Sequence, residues 1–219
     1  MPAAAAAGLT FLGTGSPDAE LLIRSLDVDR SETCPPTPLT EGWAWDWTAT
    51  LDAWRDHVES LPSTEQVVVC TWTEPVAASP LVELDAARWR QQVEWPTALW
   101  FTTIVAAAGR CCDGGSVVAV VERPANLDAS GQSPAVAVAD GVANLVRSLA
   151  AHEGGRGVRV NAVVTSRHTD RQALPGAVPP LATFPGRIDV EVAGAVRLLL
   201  SPDAVGMTGL ALPATCGRR

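Results

Sequence analysis

Three short runs of β-branched residues set the strongest limit on how this chain of 219 residues can fold. They lie at residues 66–71 (QVVVCT), 116–121 (SVVAVV) and 157–165 (GVRVNAVVT), and each is long enough for one strand. Continuous apolar strands of this kind occur where helices cover both faces of a parallel sheet. Segments of helical character separate the runs, so the sequence predicts an α/β fold with a doubly wound parallel sheet in three layers.

The rest of the chain continues the same alternation. A short apolar run at 8–13 (GLTFLG) predicts a first strand, and residues 210–214 predict a last one. Helices are predicted at residues 17–24, from Thr48 or Thr50 to about Leu61, and at 85–95, 97–109, 134–152 and 189–200, with Pro96 breaking or kinking the joint between two of them. The proline-containing stretch 29–40 is predicted to be loop. Three tryptophans alternate as they would on one face of a strand: Trp43, Trp45 and Trp47.

Composition excludes several classes of function. The net charge is −8, all 16 basic residues are arginines, and no basic patch is visible, which argues against a nucleic-acid partner. The start of the chain lacks the basic region of a signal peptide, and no apolar run reaches the ~18 residues of a membrane span, so we expect a cytoplasmic protein without a membrane partner. The hydrophobic content of 47% favours an oligomer. The cysteines have neither metal-binding nor disulfide-framework spacing, so no metal is expected: Cys34, Cys70, Cys111, Cys112 and Cys216.

Three longer segments resemble the short-chain dehydrogenase/reductase family. They are GGSVVAVV at 114–121, LVRSLAAHEGGRGVRVNAV at 145–163 and GRIDVEVAGAVRLLLSPDAVGMTGLAL at 186–212, in the order and spacing of that family. The resemblance implies a Rossmann-like sheet in a single domain that spans residues 1–219. It also implies a degenerate, shortened cofactor half at 8–65, followed at 66–217 by the dimerisation helices and the former catalytic region.

The resemblance places four catalytic positions of the family on residues that cannot perform its chemistry. In the family, a Lys one helical turn after a Tyr lowers the pKa of the phenol, which then transfers a proton. Those two positions fall on Ala135 and Ala139. The catalytic Ser of the family falls on Glu122, and its Asn falls on Pro96. The whole sequence contains no tyrosine and no lysine, so the resemblance implies a degenerate member without the usual proton donor.

The cofactor fingerprint is also incomplete. A glycine-rich turn lets a pyrophosphate approach the N-terminus of a helix. Gly13 matches the first glycine, whereas Pro17 and Ala19 stand at the second and third glycine positions. Trp72 falls in the turn that lines the cofactor cleft of the family, and its indole is expected where adenosine would lie. We therefore expect that NAD(P) binding is lost or severely weakened and that no cofactor is bound.

These features favour a noncatalytic subunit that pairs with an active short-chain dehydrogenase/reductase in a hetero-oligomeric oxidoreductase, with a homodimer as a further option. The resemblance implies pairing through a four-helix bundle built from the helices at 95–109 and 134–152. Apolar and small residues on these helices are expected at the interface: Trp95, Trp100, Ala139, Ala143 and Val146.

Two other functions stay open. Glu122, assisted by His168 on the loop that covers substrate in the family, could act as a base in cofactor-free isomerisation, dehydration or cyclisation. Alternatively, Trp72 and the tryptophan-rich segment could form an aromatic platform that binds a small molecule without turnover.

Overall fold

A parallel sheet runs through the centre of the protein, seen in a computed structural model that describes residues 6–37, 47–73, 78–124, 130–166, 184–185 and 187–216. The strands are β1 (Ala6–Gly13), β2 (Arg30–Thr33), β3 (Thr64–Cys70), β4 (Cys111–Glu122), β5 (Arg159–Thr165), β6 (Phe184–Pro185), β7 (Ala211–Pro213) and β8 (Thr215–Cys216). Six of them form one sheet in the order β2-β1-β3-β4-β5-β7, with every neighbouring pair parallel. β6 and β8 form a separate antiparallel pair. The predicted doubly wound parallel sheet is confirmed.

Helices cover both faces of this sheet. They are α1 (Pro17–Leu26), α2 (Trp47–Ser60), α3 (Ala86–Trp89), α4 (Trp95–Arg110), α5 (Ser133–Glu153) and α6 (Ala193–Leu200). A π-helical turn at Arg90–Glu94 joins α3 to α4, and a second at Ile188–Val192 leads into α6. Within the described ranges, no helix combines the length and apolar character needed to cross a bilayer.

The structure corrects three local predictions. β2 lies inside the stretch that is predicted to be loop, because a four-residue edge strand with mostly exposed side chains has no apolar alternation to reveal it. Trp47 begins α2 rather than lying on a strand, and Trp43 and Trp45 fall outside the described residues. Pro96 does not end the helix: α3, the π-helical turn and α4 follow each other without a gap, and the π-helical turn lies directly before the proline.

Two apolar clusters fill the space between the sheet and its helices. One packs α2, α4 and α5 against the sheet and contains Trp54, Trp95 and Ile104. The other packs α1 and α6 against the opposite face and contains Phe11 and Leu199. The sheet is thus buried on both faces, as its continuous β-branched strands predict.

A cage of carbonyl oxygens at the C-terminus of α6 surrounds the buried guanidinium of Arg159. Arg159 lies at the amino end of β5 and is 9% exposed. It donates to the carbonyl oxygens of Leu199 (2.6 Å), Ala204 (3.2 Å), Ser201 (3.2 Å) and Leu200 (3.4 Å). Side chains of two further strands donate to the same helix end, Gln66 to Leu200 and Ser116 to Leu199. Three strands thereby donate to the carbonyl oxygens of Leu199 and Leu200, which end α6 and have no partner within it. Burial lowers the pKa of Arg159.

We predict that Arg159→Met destabilises the protein by at least about 2 kcal/mol, because the four carbonyl oxygens lose their charged donor and each keeps only one neutral donor. Urea unfolding measures this free energy. Arg147→Met is the matched control, since Arg147 is exposed and its hydrogen bond reaches Asn144 within the same helix. The control should stay within about 0.5 kcal/mol of the wild type. Equal unfolding free energies for the two variants would contradict the role assigned to the cage.

Candidate functional site

A cleft opens at the carboxyl edge of the sheet, where β1, β3 and β4 end. Its volume is about 890 Å³, which is in the range of small-molecule sites in proteins. The lining comes from the segments that follow β1, β2, β3 and β4, from the π-helical turn before α4, and from the first turns of α4 and α5. Clefts at this edge of a doubly wound sheet are the usual ligand sites of such folds.

The turn after β1 forms one end of the cleft, and close contacts require its glycine. A Cβ added to Gly13 would lie 2.4 Å from a ring carbon of Phe11 and 2.7 Å from the carbonyl oxygen of Cys70. The turn is tied to the end of β3, since the hydroxyl of Thr14 donates to the carbonyl oxygen of Trp72 at 2.6 Å. The backbone N–H of Thr14 donates to the carbonyl oxygen of Cys70 at 3.2 Å. Only glycine fits at residue 13, as the fingerprint comparison implies.

The N-terminus of α1 faces this end of the cleft and has some features of an anion site, although its first turn also carries the carboxylates of Asp18 and Glu20. The Ser16 side chain caps the helix by accepting from the backbone N–H of Ala19, and Pro17 is its first residue. Gly15 leaves the backbone open, because a Cβ there would meet only Thr33, at 3.9 Å. Helix dipole and backbone N–H groups together favour a phosphate at such a position. Ala19 is fully buried beneath the helix, so its methyl group does not enter the cleft.

Three of the four positions that the resemblance aligns with catalytic residues of the family line the same cleft. Pro96, Glu122 and Ala135 all belong to its lining. Ala139 lies one turn further along α5, 3% exposed in the core. Glu122 is the one charged side chain among the described lining residues. His168 lies outside the described residues, so its predicted cooperation with Glu122 stays a prediction.

Several polar groups that line the cleft are not among the site residues predicted from the sequence. Gln91 and Gln92 line it from the π-helical turn, a conformation with no sequence signal that we recognise. Gln132 lines it just before α5. The Thr71 hydroxyl and the Trp95 indole N–H are buried in the lining and have no hydrogen-bond partner among the described residues. Thr71 directly follows a buried strand, and that position is a signal that could have identified it.

The predicted interface residues need correction. Trp95, Trp100, Ala139 and Val146 are each at most 3% exposed and belong to the core cluster of this chain itself. They cannot contact a partner directly, because α4 buries Trp95 and Trp100, and α5 buries Ala139 and Val146, in the core of this chain. Ala143 is half-buried. The apolar residues that α4 does expose are Phe101 (56%) and Val105 (36%).

The thiol of Cys34 lines the cleft but is not a nucleophile near neutral pH. Burial raises the pKa of Cys34 to about 12, against a smaller opposing effect of a hydrogen bond with Thr103. Since the thiolate is the reactive form, this group stays protonated and inert. Cysteine chemistry therefore does not replace the missing Tyr and Lys pair in the described part of the cleft.

Comparison with solved structures identifies the fold. A short-chain dehydrogenase/reductase from Serratia marcescens has a TM-score of 0.65 at 19% identity, over 94% of each chain. A short chain dehydrogenase family protein from Francisella tularensis has a TM-score of 0.70 at 13% identity, over 95% of this chain and 97% of the other. BdcA in complex with NADPH has a TM-score of 0.64 at 19% identity, over 95% and 93%. No protein-family model and no curated protein matches this sequence. The chain has the fold of short-chain dehydrogenases/reductases.

The expectation that no cofactor is bound is wrong. It is contradicted by structures of this fold that contain NADPH, BdcA among them. The physical reason lies in Trp72, whose indole is only 3% exposed and packs in the core cluster with Phe11 and Leu22. The indole borders the cleft without filling it, and the cleft stays open.

We predict that native-state alkylation at pH 8 labels Cys112 and spares the buried thiols. Burial raises the pKa of Cys111 to about 12, as it does for Cys34, and Cys70 is fully buried. Cys112 is half-exposed. Peptide mapping after brief iodoacetamide treatment measures the labelling, and treatment in urea provides the control in which all of these thiols react. Rapid native labelling of Cys34 would contradict the protonated thiol at the cleft.

Proposed function

We propose that this chain is a noncatalytic, dinucleotide-binding subunit that pairs with a second, active chain of the same fold. One observation carries the proposal: the cleft is retained, while the family positions within it are Pro96, Glu122 and Ala135. The sequence supplies no tyrosine or lysine from any other position. The scaffold is therefore kept where the usual proton-transfer groups are gone.

The residues of the cleft fit a nicotinamide dinucleotide. The backbone at Gly15 and Ser16, at the N-terminus of α1, would hold the pyrophosphate. Thr71 offers a buried hydroxyl without a described partner near the middle of the cleft. A bound nicotinamide supplies hydride-transfer chemistry, and what this chain contributes is binding and exclusion of water.

The absence of a phenol explains why the subunit is proposed to be noncatalytic. A carbonyl oxygen that gains negative charge during reduction needs a proton donor or a hydrogen bond from a charged group. The methyl group of Ala135 supplies neither, and the Glu122 carboxylate would repel the developing charge. Pro96 has no side-chain donor at all.

An exposed face of α4 and α5 supports the proposed pairing. Thr97, Phe101 and Val105 follow each other at four-residue spacing on α4 and are all exposed. The neighbouring helix α5 exposes small residues, among them Ala137 and Gly141, which allow close helix approach. Exposed Phe and Val beside such a surface are typical of an association site.

We predict that Gly15→Leu abolishes dinucleotide binding without unfolding the protein. The new side chain would enter the cleft at the proposed phosphate position, while its Cβ meets no close neighbour. Isothermal titration with NADH and NADPH measures binding, and thermal unfolding monitors the fold. Gly194→Leu on α6, also exposed and without close neighbours, should bind as the wild type does. Undiminished binding to Gly15→Leu would exclude the helix N-terminus as the phosphate site.

We predict that Phe101→Glu disrupts association, because it buries a carboxylate in the pairing surface. The chain is purified with a tag from its natural host, and native mass spectrometry with sedimentation velocity identifies bound subunits. The expected complex contains a second chain of this fold that retains Tyr and Lys. Leu198→Glu on α6 replaces a similarly exposed apolar residue (49%) and should leave the complex intact.

The same preparations test catalysis. Hydride transfer should be lost when the complex is separated, and the isolated chain should show none with NAD or NADP and a panel of alcohols and ketones. Turnover by the isolated chain, or a wild-type chain that purifies as a monomer, would contradict the proposal.

A further inference from the structure

The end of the cleft beside β2 is lined by residues from three segments whose sequences contain no basic residue. The segments follow β1 (residues 14–23), β2 (34–54) and β3 (71–87). They carry two, three and three acidic residues, respectively, and no arginine, lysine or histidine. We propose that this end of the cleft selects a dinucleotide without a phosphate on its adenosine ribose, so that the chain binds NAD(H) in preference to NADP(H). This preference rests on the dinucleotide binding proposed above and is independent of the pairing of subunits.

Thr33 stands at the position that contacts the adenosine ribose in dinucleotide-binding folds. That position follows the first glycine of the turn by about 20 residues, where an acidic residue binds the 2′-hydroxyl of NAD or a nearby arginine accommodates the 2′-phosphate of NADP. Thr33 ends β2, 20 residues after Gly13. The sheet register pairs the two residues, and the backbone N–H of Cys34 donates to the carbonyl oxygen of Gly13 at 2.8 Å. Thr33 is exposed and lines the cleft, so its side chain is accessible to a ligand.

Thr33 also lies close to the proposed pyrophosphate position. A Cβ added to Gly15 would lie 3.9 Å from Cγ2 of Thr33, so the end of β2 and the N-terminus of α1 border the same space. On the other side of the turn, Cys70 pairs with Gly13, and the next residue is Thr71. The Thr71 hydroxyl is buried in the lining and has no hydrogen-bond partner among the described residues. A buried hydroxyl of this kind indicates a polar ligand beside the turn.

Electrostatics at this position favour a ribose hydroxyl over a ribose phosphate. A phosphate monoester carries nearly two negative charges at about pH 7, and its transfer from water to a protein surface without a cation is unfavourable. The Thr33 hydroxyl can donate to or accept from a ribose hydroxyl, but it brings no positive charge to a phosphate. The first turn of α1 adds the negative charges of Asp18 and Glu20. The N–H groups at the start of α1 attract one anionic group, and in the proposed complex the pyrophosphate occupies them.

The arginines that flank these segments lie away from Thr33 or are paired. Arg30 begins β2 three residues earlier, which places it about 10 Å toward the amino edge of the sheet. Arg24 lies in the last turn of α1, about 12 Å along the helix from Ser16. Arg55 on α2 forms an ion pair with Asp52 at 2.9 Å. None of these three arginines is among the described residues that line the cleft.

The test compares NADH with NADPH on the full chain. The two ligands share the nicotinamide and differ only in the 2′-phosphate, so the ratio of their affinities reports the ribose end of the cleft. Isothermal titration measures both affinities, and fluorescence of the bound dinucleotide gives an independent readout. We expect NADH to bind at least about tenfold more tightly than NADPH. The ratio should shrink with salt, because the Debye length falls from about 10 Å at 0.1 M to about 3 Å at 1 M.

Variants at Thr33 test the cause of the preference. Thr33→Arg should bind NADPH about tenfold more tightly than the wild type and NADH within about twofold of it, because it supplies the missing cation. Thr33→Asp should weaken NADPH further and leave NADH bound. Ser60→Arg is the control, because Ser60 is exposed at the end of α2, near the amino end of β3, and the substitution adds the same charge far from the cleft. Thermal unfolding confirms that each variant is folded.

The outcomes separate this preference from the proposed function. If the wild type binds NADPH as tightly as NADH or more tightly, the preference is overturned and the proposed dinucleotide binding stands. The same holds if folded Thr33→Arg binds NADPH no better than Ser60→Arg does. If neither dinucleotide binds at millimolar concentration, both the preference and the proposed dinucleotide site are overturned.

Discussion

The burial of β3, β4 and β5 on both faces is the constraint on which the rest of the structure depends. A strand in this position has no side that can carry polar residues, so helices must cover both faces. Parallel pairing then requires each chain segment to cross over a helix before the next strand begins. The carboxyl ends of the strands meet at one edge, and the chain leaves each of them by a loop. The cleft at that edge follows from the topology rather than from any single motif.

Much of this architecture can be predicted from the sequence, because strands that are buried on both faces consist of continuous apolar residues. The β-branched runs in β3 and β4 predict this burial. The structure buries their valines almost completely, among them Val67, Val68, Val69, Val117 and Val118. β2 could not be predicted in the same way, since an edge strand exposes its side chains and has a weaker compositional signal. Its position is fixed by pairing with β1, a contact between distant parts of the chain.

Side-chain direction is what sequence reasoning lacked at the candidate site. The position of Glu122 and Ala135 in the cleft could be predicted, because strand ends and helix starts are countable along the chain. The direction of Trp72 could not, since substitution of an indole for a small residue says nothing about whether it enters the cleft or the core. α4 raised the same difficulty: it is apolar on more than one side, so the spacing of its tryptophans did not reveal which side the sheet would cover.

The carbonyl cage of Arg159 lies at the amino edge of the sheet, whereas the cleft lies at the carboxyl edge. Stability and ligand chemistry are consequently anchored at opposite ends of the same strands. Residues at the carboxyl edge can therefore be substituted while the hydrogen bonds at the amino edge keep the polypeptide folded. Such a separation lets the side chains of the cleft be exchanged one at a time without removing the hydrogen bonds that hold α6 to the sheet.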